Sequence, residues 1–157
     1  ITSCDLTMFD FAQAVVKVKD RKHLVRLSEK ILQQVQYQSE STSVTTSAID
    51  AFYAEQGVCQ DHAHILIAMC RALQLPARYV SGYIYDENQP HLASHAWAEV
   101  FVENEWYCFD VSNQIFTPKN HIYVAVGRDY LDVAPIRGIR EQGGVESMMS
   151  VVQVLAC

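Results

Sequence analysis

The chain has 157 residues, half of them hydrophobic, and a formal net charge of −6. That length and apolar share suit one globular domain with its own core and exclude a disordered or low-complexity chain. Lysine and arginine are scattered and outnumbered, so neither nucleic acid nor an anionic membrane surface is an expected partner, and no apolar run approaches the roughly 18–20 residues of a membrane span.

Taken in order, residues 21–36 set Leu24, Leu27, Ile31, Leu32 and Val35 on one face of an amphipathic helix suited to packing beside a sheet. A serine- and threonine-rich loop over 38–47 follows, and Thr46 or Ser47 caps a short helix over 48–55 that delivers the chain to Gly57. From Cys59 to Leu73 the run Ile65-Leu66-Ile67-Ala68-Met69-Cys70 is apolar on nearly all sides, as in a helix buried within a domain. Beyond Pro76, strands are expected near 77–85, 94–102, 106–111, 121–126 and 145–156, punctuated by Gly127, Gly138 and Gly143-Gly144. Helices first and hairpin-linked strands later predict an α+β domain with an antiparallel sheet.

The chemistry starts at Gly57-Val58-Cys59-Gln60-Asp61-His62-Ala63, where a cysteine coincides with a helix start. The partial positive charge of a helix N-terminus favours thiolate, so the position suits a nucleophile. A working thiol needs a base, and the base needs an orienting group. His95 lies on the strand Ser94-His95-Ala96-Trp97-Ala98-Glu99-Val100-Phe101-Val102; after Glu103-Asn104-Glu105 comes Trp106-Tyr107-Cys108-Phe109-Asp110-Val111, so a β-hairpin is predicted. A turn centred on Glu103-Asn104 pairs positions summing to about 207, which sets His95 opposite Ser112 and makes Asp110 its diagonal neighbour, roughly 7–8 Å away. Trp97 and Glu99 share the face of His95 in a regular strand. Trp97 walls the site or fills the core; Glu99 is either a hydrogen-bond partner behind the histidine or a solvated edge charge.

The other titratable groups form no comparable pattern. His62 and His64, two apart on a helix, do not share a face, so with Asp61 they make a poor metal site. His23, His91 and His121 stand outside any constellation and read as surface or strand-end residues. The five cysteines, at 4, 59, 70, 108 and 157, are odd in number and lack metal-like spacing, so no disulfide scaffold is indicated. A nucleophilic cysteine among them favours a reducing compartment, and the cytoplasm is the expected location.

The order Cys59, His95, Asp110 resembles the transglutaminase-like superfamily, in particular its bacterial branch often described as cysteine proteases. Four ordered blocks carry the resemblance: Gly57 through Asp61; Cys70-Arg71-Ala72-Leu73 with Leu75-Pro76-Ala77-Arg78-Tyr79-Val80-Ser81-Gly82-Tyr83; Ser94 through Val100; and Ala125-Val126-Gly127-Arg128-Asp129-Tyr130 with Asp132-Val133-Ala134-Pro135 and Arg137-Gly138. One block departs. The family usually reads Asp-Pro-Thr-Asn at the acid, whereas this chain has Asp110-Val111-Ser112-Asn113, which keeps the aspartate and changes the turn after it.

The resemblance implies a papain-like core with the nucleophile's helix packed on the antiparallel sheet. It implies a triad of Cys59 as nucleophile, His95 as base and Asp110 as orienter, acting on a peptide or protein amide through a thioester. Hydrolysis as peptidase or amidase is expected first, amine transfer as a transglutaminase second. A non-catalytic peptide- or protein-binding domain that keeps the fold is the rival from another class. A cysteine-dependent N-acetyltransferase shares the triad order, but its usual Arg-Gly-Gly lead into the cysteine is absent. The Cys59 backbone N–H is a candidate oxyanion donor. Nothing resembles a calcium loop, so neither metal nor cofactor is expected. Residues 1–157 read as a single catalytic domain. Because the branch commonly carries a β-rich N-terminal domain and Ser3-Cys4-Asp5 resembles the join, the resemblance makes this the C-terminal part of a longer protein.

Overall fold

The computed structural model describes residues 1–86, 94–134 and 152–153. Along them run helices α1 (Leu6–Val15) and α2 (Arg21–Gln34), strand β1 (Gln36–Tyr37), helix α3 (Ala48–Ala54), strand β2 (Gln56–Gly57), helix α4 (Cys59–Ala72), strands β3 (Ala77–Ile84), β4 (His95–Val102), β5 (Glu105–Phe109) and β6 (His121–Gly127), and the single turn α5 (Tyr130–Val133). The order of helices followed by antiparallel strands is the α+β architecture expected from the sequence. No helix among the described residues is long and apolar enough to cross a membrane.

Helix α4 occupies the centre because almost nothing on it needs water. Every residue from Gln60 to Cys70 is buried. It packs against β3 and β4 on one side and α1, α2 and α3 on the other. On β4 the small side chains of Ala96 and Ala98, with Val100, join the main core and let the helix lie close to the sheet. The opposite face of β4 is also covered: Trp97 packs with Val80 and Cys108 in a second, smaller core. A strand buried on both faces shows little hydropathic alternation, which is why the sequence there reads as a nearly continuous apolar run.

The four-stranded sheet has the order β5-β4-β3-β6 and is antiparallel throughout. Ala98 pairs with Phe109 and Val102 with Glu105, the register that a turn centred on Glu103-Asn104 requires. Both turn residues take positive φ, 50° and 70°, the left-handed geometry that matches strand twist in a two-residue hairpin. The ladder ends at Phe109, however. Ser112 therefore does not pair with His95; it turns away and bonds to His62.

Several elements differ from expectation. The helix α1 escapes sequence reading because only Met8 and Ala12 on it are fully buried, too sparse a stripe to declare a period. The helix expected over 21–36 stops at Gln34, since Val35 is extended and Gln36–Tyr37 pairs in parallel with Gln56–Gly57. Ser47 caps α3 by accepting the amide of Asp50 at 3.1 Å. The strand expected over 145–156 lies outside the described residues apart from Val152 and Gln153, and His91, Pro135, Arg137, Gly138 and Gly143-Gly144 lie outside them as well.

Gly82 is the tightest point of the sheet. A Cβ there would collide with the carbonyl oxygen of Ile122 on β6 and come within 2.7 Å of the Trp97 ring. The β3–β6 register also shifts beside it, between Ser81 and Gly82. Gly82→Ala is expected to cost about 3 kcal/mol, the upper range for overpacking, because backbone rather than a flexible side chain must move. Urea unfolding measures this; a change below about 0.5 kcal/mol, the range of neutral surface substitutions, would show that β6 does not approach β3 this closely.

Candidate active site

Cys59 is the first residue of α4, with Val58 as N-cap in extended conformation. Val58 offers no capping oxygen, and Asp61 compensates from one turn inside: its Oδ2 accepts the Val58 amide at 2.8 Å and the Thr42 hydroxyl at 2.6 Å. Gly57 permits this, since a Cβ there would lie 2.8 Å from the Asp61 Cβ. The motif residues before and after Cys59 thus build the helix start that presents the thiol. As the first helical residue, Cys59 has a backbone N–H without an intrahelical partner, the property an oxyanion donor needs.

His95 opens β4, and its Nε2 lies 2.8 Å from Asp110 Oδ2. The hairpin register brings the two together although the ladder stops before Asp110. The chain beyond Phe109 is held by a reciprocal pair of backbone bonds: the Asp110 amide donates to the Ile115 carbonyl at 2.9 Å, and the Ile115 amide donates back at 3.1 Å. Inside that turn Asn113 donates its backbone amide to Asp110 Oδ1 at 3.2 Å and its side-chain amide to Oδ2 at 3.0 Å. Replacement of the family's usual Pro-Thr by Val111-Ser112 therefore leaves the aspartate anchored.

The electrostatics follow from burial and pairing. Burial alone would push the His95 imidazolium toward neutrality, but the hydrogen bond to Asp110, with the influence of the nearby Cys59 thiol and the charges behind them, outweighs it and raises its pKa to about 9. Burial likewise opposes the charge on Asp110, yet donors from His121 and His95 hold it well below the usual carboxylate range. His95 and Asp110 thus form a buried hydrogen-bonded pair, and Cys59 is near enough to contribute to the shift of His95. Trp97 stacks beside His95 with ring centroids 5.9 Å apart. Glu99 is engaged elsewhere: its Oε2 accepts from Arg78 Nε at 2.7 Å and its Oε1 from the Tyr123 hydroxyl at 2.8 Å.

His121 corrects the sequence reading. It does open β6, as a strand-end residue, but it is no surface group: its side chain is 1% exposed and its Nε2 lies 3.0 Å from the same Asp110 oxygen that His95 uses. The remaining histidines serve the frame. His62 bridges the Val35 carbonyl and the Ser112 hydroxyl, each at 2.8 Å, and burial lowers its pKa. His64 accepts the Tyr130 amide at 3.2 Å and burial drives its pKa to about 4. His23 bonds the helix cap Asp20. Cys70 and Cys108 are buried thiols whose pKa values burial pushes up to about 12.

Among the described residues, His95, Asp110 and His121 are the group whose ligand atoms converge closely enough for a metal, within 4.8 Å of one another. The two nitrogen–oxygen separations, 2.8 and 3.0 Å, are those of protons shared in hydrogen bonds. They are shorter than the roughly 3.3 Å between neighbouring ligands of a tetrahedral ion with bonds near 2.0 Å.

A helix start bearing a thiol, set against a hairpin bearing imidazole and carboxylate, is the papain-like arrangement of cysteine enzymes. The sequence model of the Transglutaminase-like superfamily matches residues 10–111, and the chain belongs to that superfamily. An uncharacterized protein of Mycobacterium leprae is 34% identical over 140 residues, which cover 85% of this chain and 50% of its own length; the chain thus spans about half of that relative. A crystal structure from Cytophaga hutchinsonii, described as a "putative cysteine protease", superposes with a TM-score of 0.71 at 33% identity, over 82% of this chain and 44% of that one. The calcium-bound LapG of Legionella pneumophila shares the fold, with a TM-score of 0.59 at 15% identity over 86% of this chain and 80% of its own. The superfamily and the Cytophaga structure are what this chain is similar to in sequence and fold, whereas LapG, at 15% identity, shows the fold alone.

Proposed function

We propose that the domain breaks amide bonds by covalent cysteine catalysis, with Cys59 as nucleophile, His95 as general base and acid, and Asp110 as the orienting carboxylate. The observation that carries the reading is the His95 ring, hydrogen-bonded through Nε2 to the buried Asp110 carboxylate at 2.8 Å and raised in pKa by Asp110 and Cys59 together. Asp110 occupies Nε2, which leaves Nδ1 for the sulfur. In the forward step the sulfur, its proton already held on His95 whose pKa is raised to about 9, bonds to the carbonyl carbon, and His95 gives that proton to the departing nitrogen as the C–N bond breaks. The product is a thioester on Cys59. Water, deprotonated by His95, then attacks the same carbon, releasing the acid and restoring the thiol. Hydrolysis is the favoured outcome, in keeping with the description of the Cytophaga relative as a protease.

The test supplies both acceptors. The protein is incubated with a denatured protein mixture in the presence and absence of a fluorescent primary amine, with Cys59→Ala as control, and products are read by mass spectrometry. Cysteine-dependent new chain ends or deamidated side chains are expected. Amine adducts that outnumber both would make the domain a transglutaminase; identical product patterns from wild type and Cys59→Ala would overturn the catalytic reading.

A further inference from the structure

Asp110 is fully buried, and its Oδ2 receives three donors: His95 Nε2 at 2.8 Å, His121 Nε2 at 3.0 Å and Asn113 Nδ2 at 3.0 Å. The base and orienter account for the first contact, and the local turn accounts for the third. The second brings a histidine from β6, a strand that is not adjacent to β4. His121 has one polar task there. Its side chain is 1% exposed, and among the described residues its Nδ1 has no hydrogen-bond partner. A buried imidazole with a nitrogen left over is a poor space-filler compared with an apolar ring, so the carboxylate contact is what this position requires. Trp97 ties the two histidines together, meeting the His121 ring edge-on at 4.8 Å while stacking on His95.

Resting on the triad reading above, we propose that His121 is a positioning residue: it fixes the Asp110 carboxylate and divides the Oδ2 charge between two imidazoles, so that His95 is aimed at the thiol without being locked to Asp110. A carboxylate held only by His95 and its own turn could rotate with the imidazole as the proton moves; one clamped from β6 cannot. The ionisable groups around Asp110 are His95 on β4, His121 on β6, His62 on α4 and Cys108 on β5, with Cys59 reached through His95.

Three variants separate positioning from packing. His121→Gln keeps an amide donor that reaches Oδ2, His121→Phe keeps the ring without a donor, and His121→Asn is polar but ends short of the oxygen. The readouts are Cys59 alkylation by iodoacetamide against pH, followed by mass spectrometry, and the NMR titration of His95 Cε1–H, both on proteins shown folded by near-ultraviolet circular dichroism. His121→Gln should match wild type within about threefold, whereas Phe and Asn should slow alkylation about tenfold through misaimed geometry. In those two variants the His95 inflection should also move upward, because the undivided carboxylate now faces one imidazole. Wild-type rates and inflection in folded His121→Phe or His121→Asn would overturn the proposal, as would a His121→Gln protein that behaves like them. His95→Ala in the same series keeps the two readings apart. If it leaves Cys59 reactivity unchanged, the base assignment itself fails; if it slows the thiol while His121→Phe and His121→Asn do not, only the role of His121 fails.

Discussion

His95→Ala is expected to lower amide turnover by about 10²–10⁴-fold, the usual contribution of a positioned base, and to slow alkylation of Cys59 at pH 7 by at least about tenfold. The effect should be confined to one sulfur. Cys59 is half-buried at the start of α4 and close enough to the imidazole to influence its charge, whereas Cys70 and Cys108 are buried with pKa values near 12. Those two thiols serve as internal controls: in the folded protein both should stay unlabelled in wild type and variant alike, and their labelling would report unfolding instead. Site-by-site mass spectrometry after brief exposure to iodoacetamide makes the comparison within a single sample. A folded His95→Ala protein whose Cys59 reacts as fast as wild type would mean that the imidazole does nothing for the thiol, and the catalytic assignment would fall with it.

The readable part of the site was the part built from local sequence. Cys59 announces itself because Gly57 and Asp61 make a helix start around it, and one turn of chain contains the whole arrangement. His95 and Asp110 are fifteen positions apart, yet a two-residue turn fixes which residues oppose each other, so their nearness was legible from the hairpin, while the turn through Ile115 and Asn113 that holds Asp110 beyond the ladder was not. His121 could not be found that way. Its place beside Asp110 depends on β6 pairing with β3 rather than β5, and on a register shift next to Gly82, neither of which leaves a periodic trace in the sequence. Glu99 shows the opposite difficulty: strand alternation put it on the face of His95, but the nearby guanidinium of Arg78 and hydroxyl of Tyr123 take both its oxygens. Face is legible from spacing, whereas partner choice depends on what neighbouring strands contribute. The helix α1 was missed for a related reason, since its burial depends on the helices it packs against rather than on a strong stripe of its own.

Asp110→Asn should produce the second large effect, and pH distinguishes it from simple loss of structure. In the wild type, burial disfavours the His95 cation, and the bond to Asp110 with the influence of nearby Cys59 reverses that preference to give a pKa of about 9, above the ordinary 6.5. A histidine whose pKa rises on folding stabilises the fold fully below its unfolded value and ceases to do so as pH climbs through the folded one. Asp110 works in the other direction: its lowered pKa stabilises above the ordinary carboxylate value and is lost only in strong acid. The pair therefore contributes most between about pH 4 and 6.5, and its contribution declines as pH rises toward 9 and beyond. Asparagine preserves the shape of the carboxylate and removes the charge. With burial then the dominant influence, the His95 inflection should fall from about 9 toward or below the ordinary value. Turnover should drop by about 10²-fold or more, since a neutral amide can favour the wrong imidazole tautomer. NMR titration of His95 in both proteins, with thermal unfolding followed from pH 5 to 10, measures the charge and its linkage to stability together. An inflection that stays where it was in a folded Asp110→Asn protein would show that the carboxylate does not hold the proton on His95, and the role of Asp110 would reduce to closing the turn through Ile115 and Asn113.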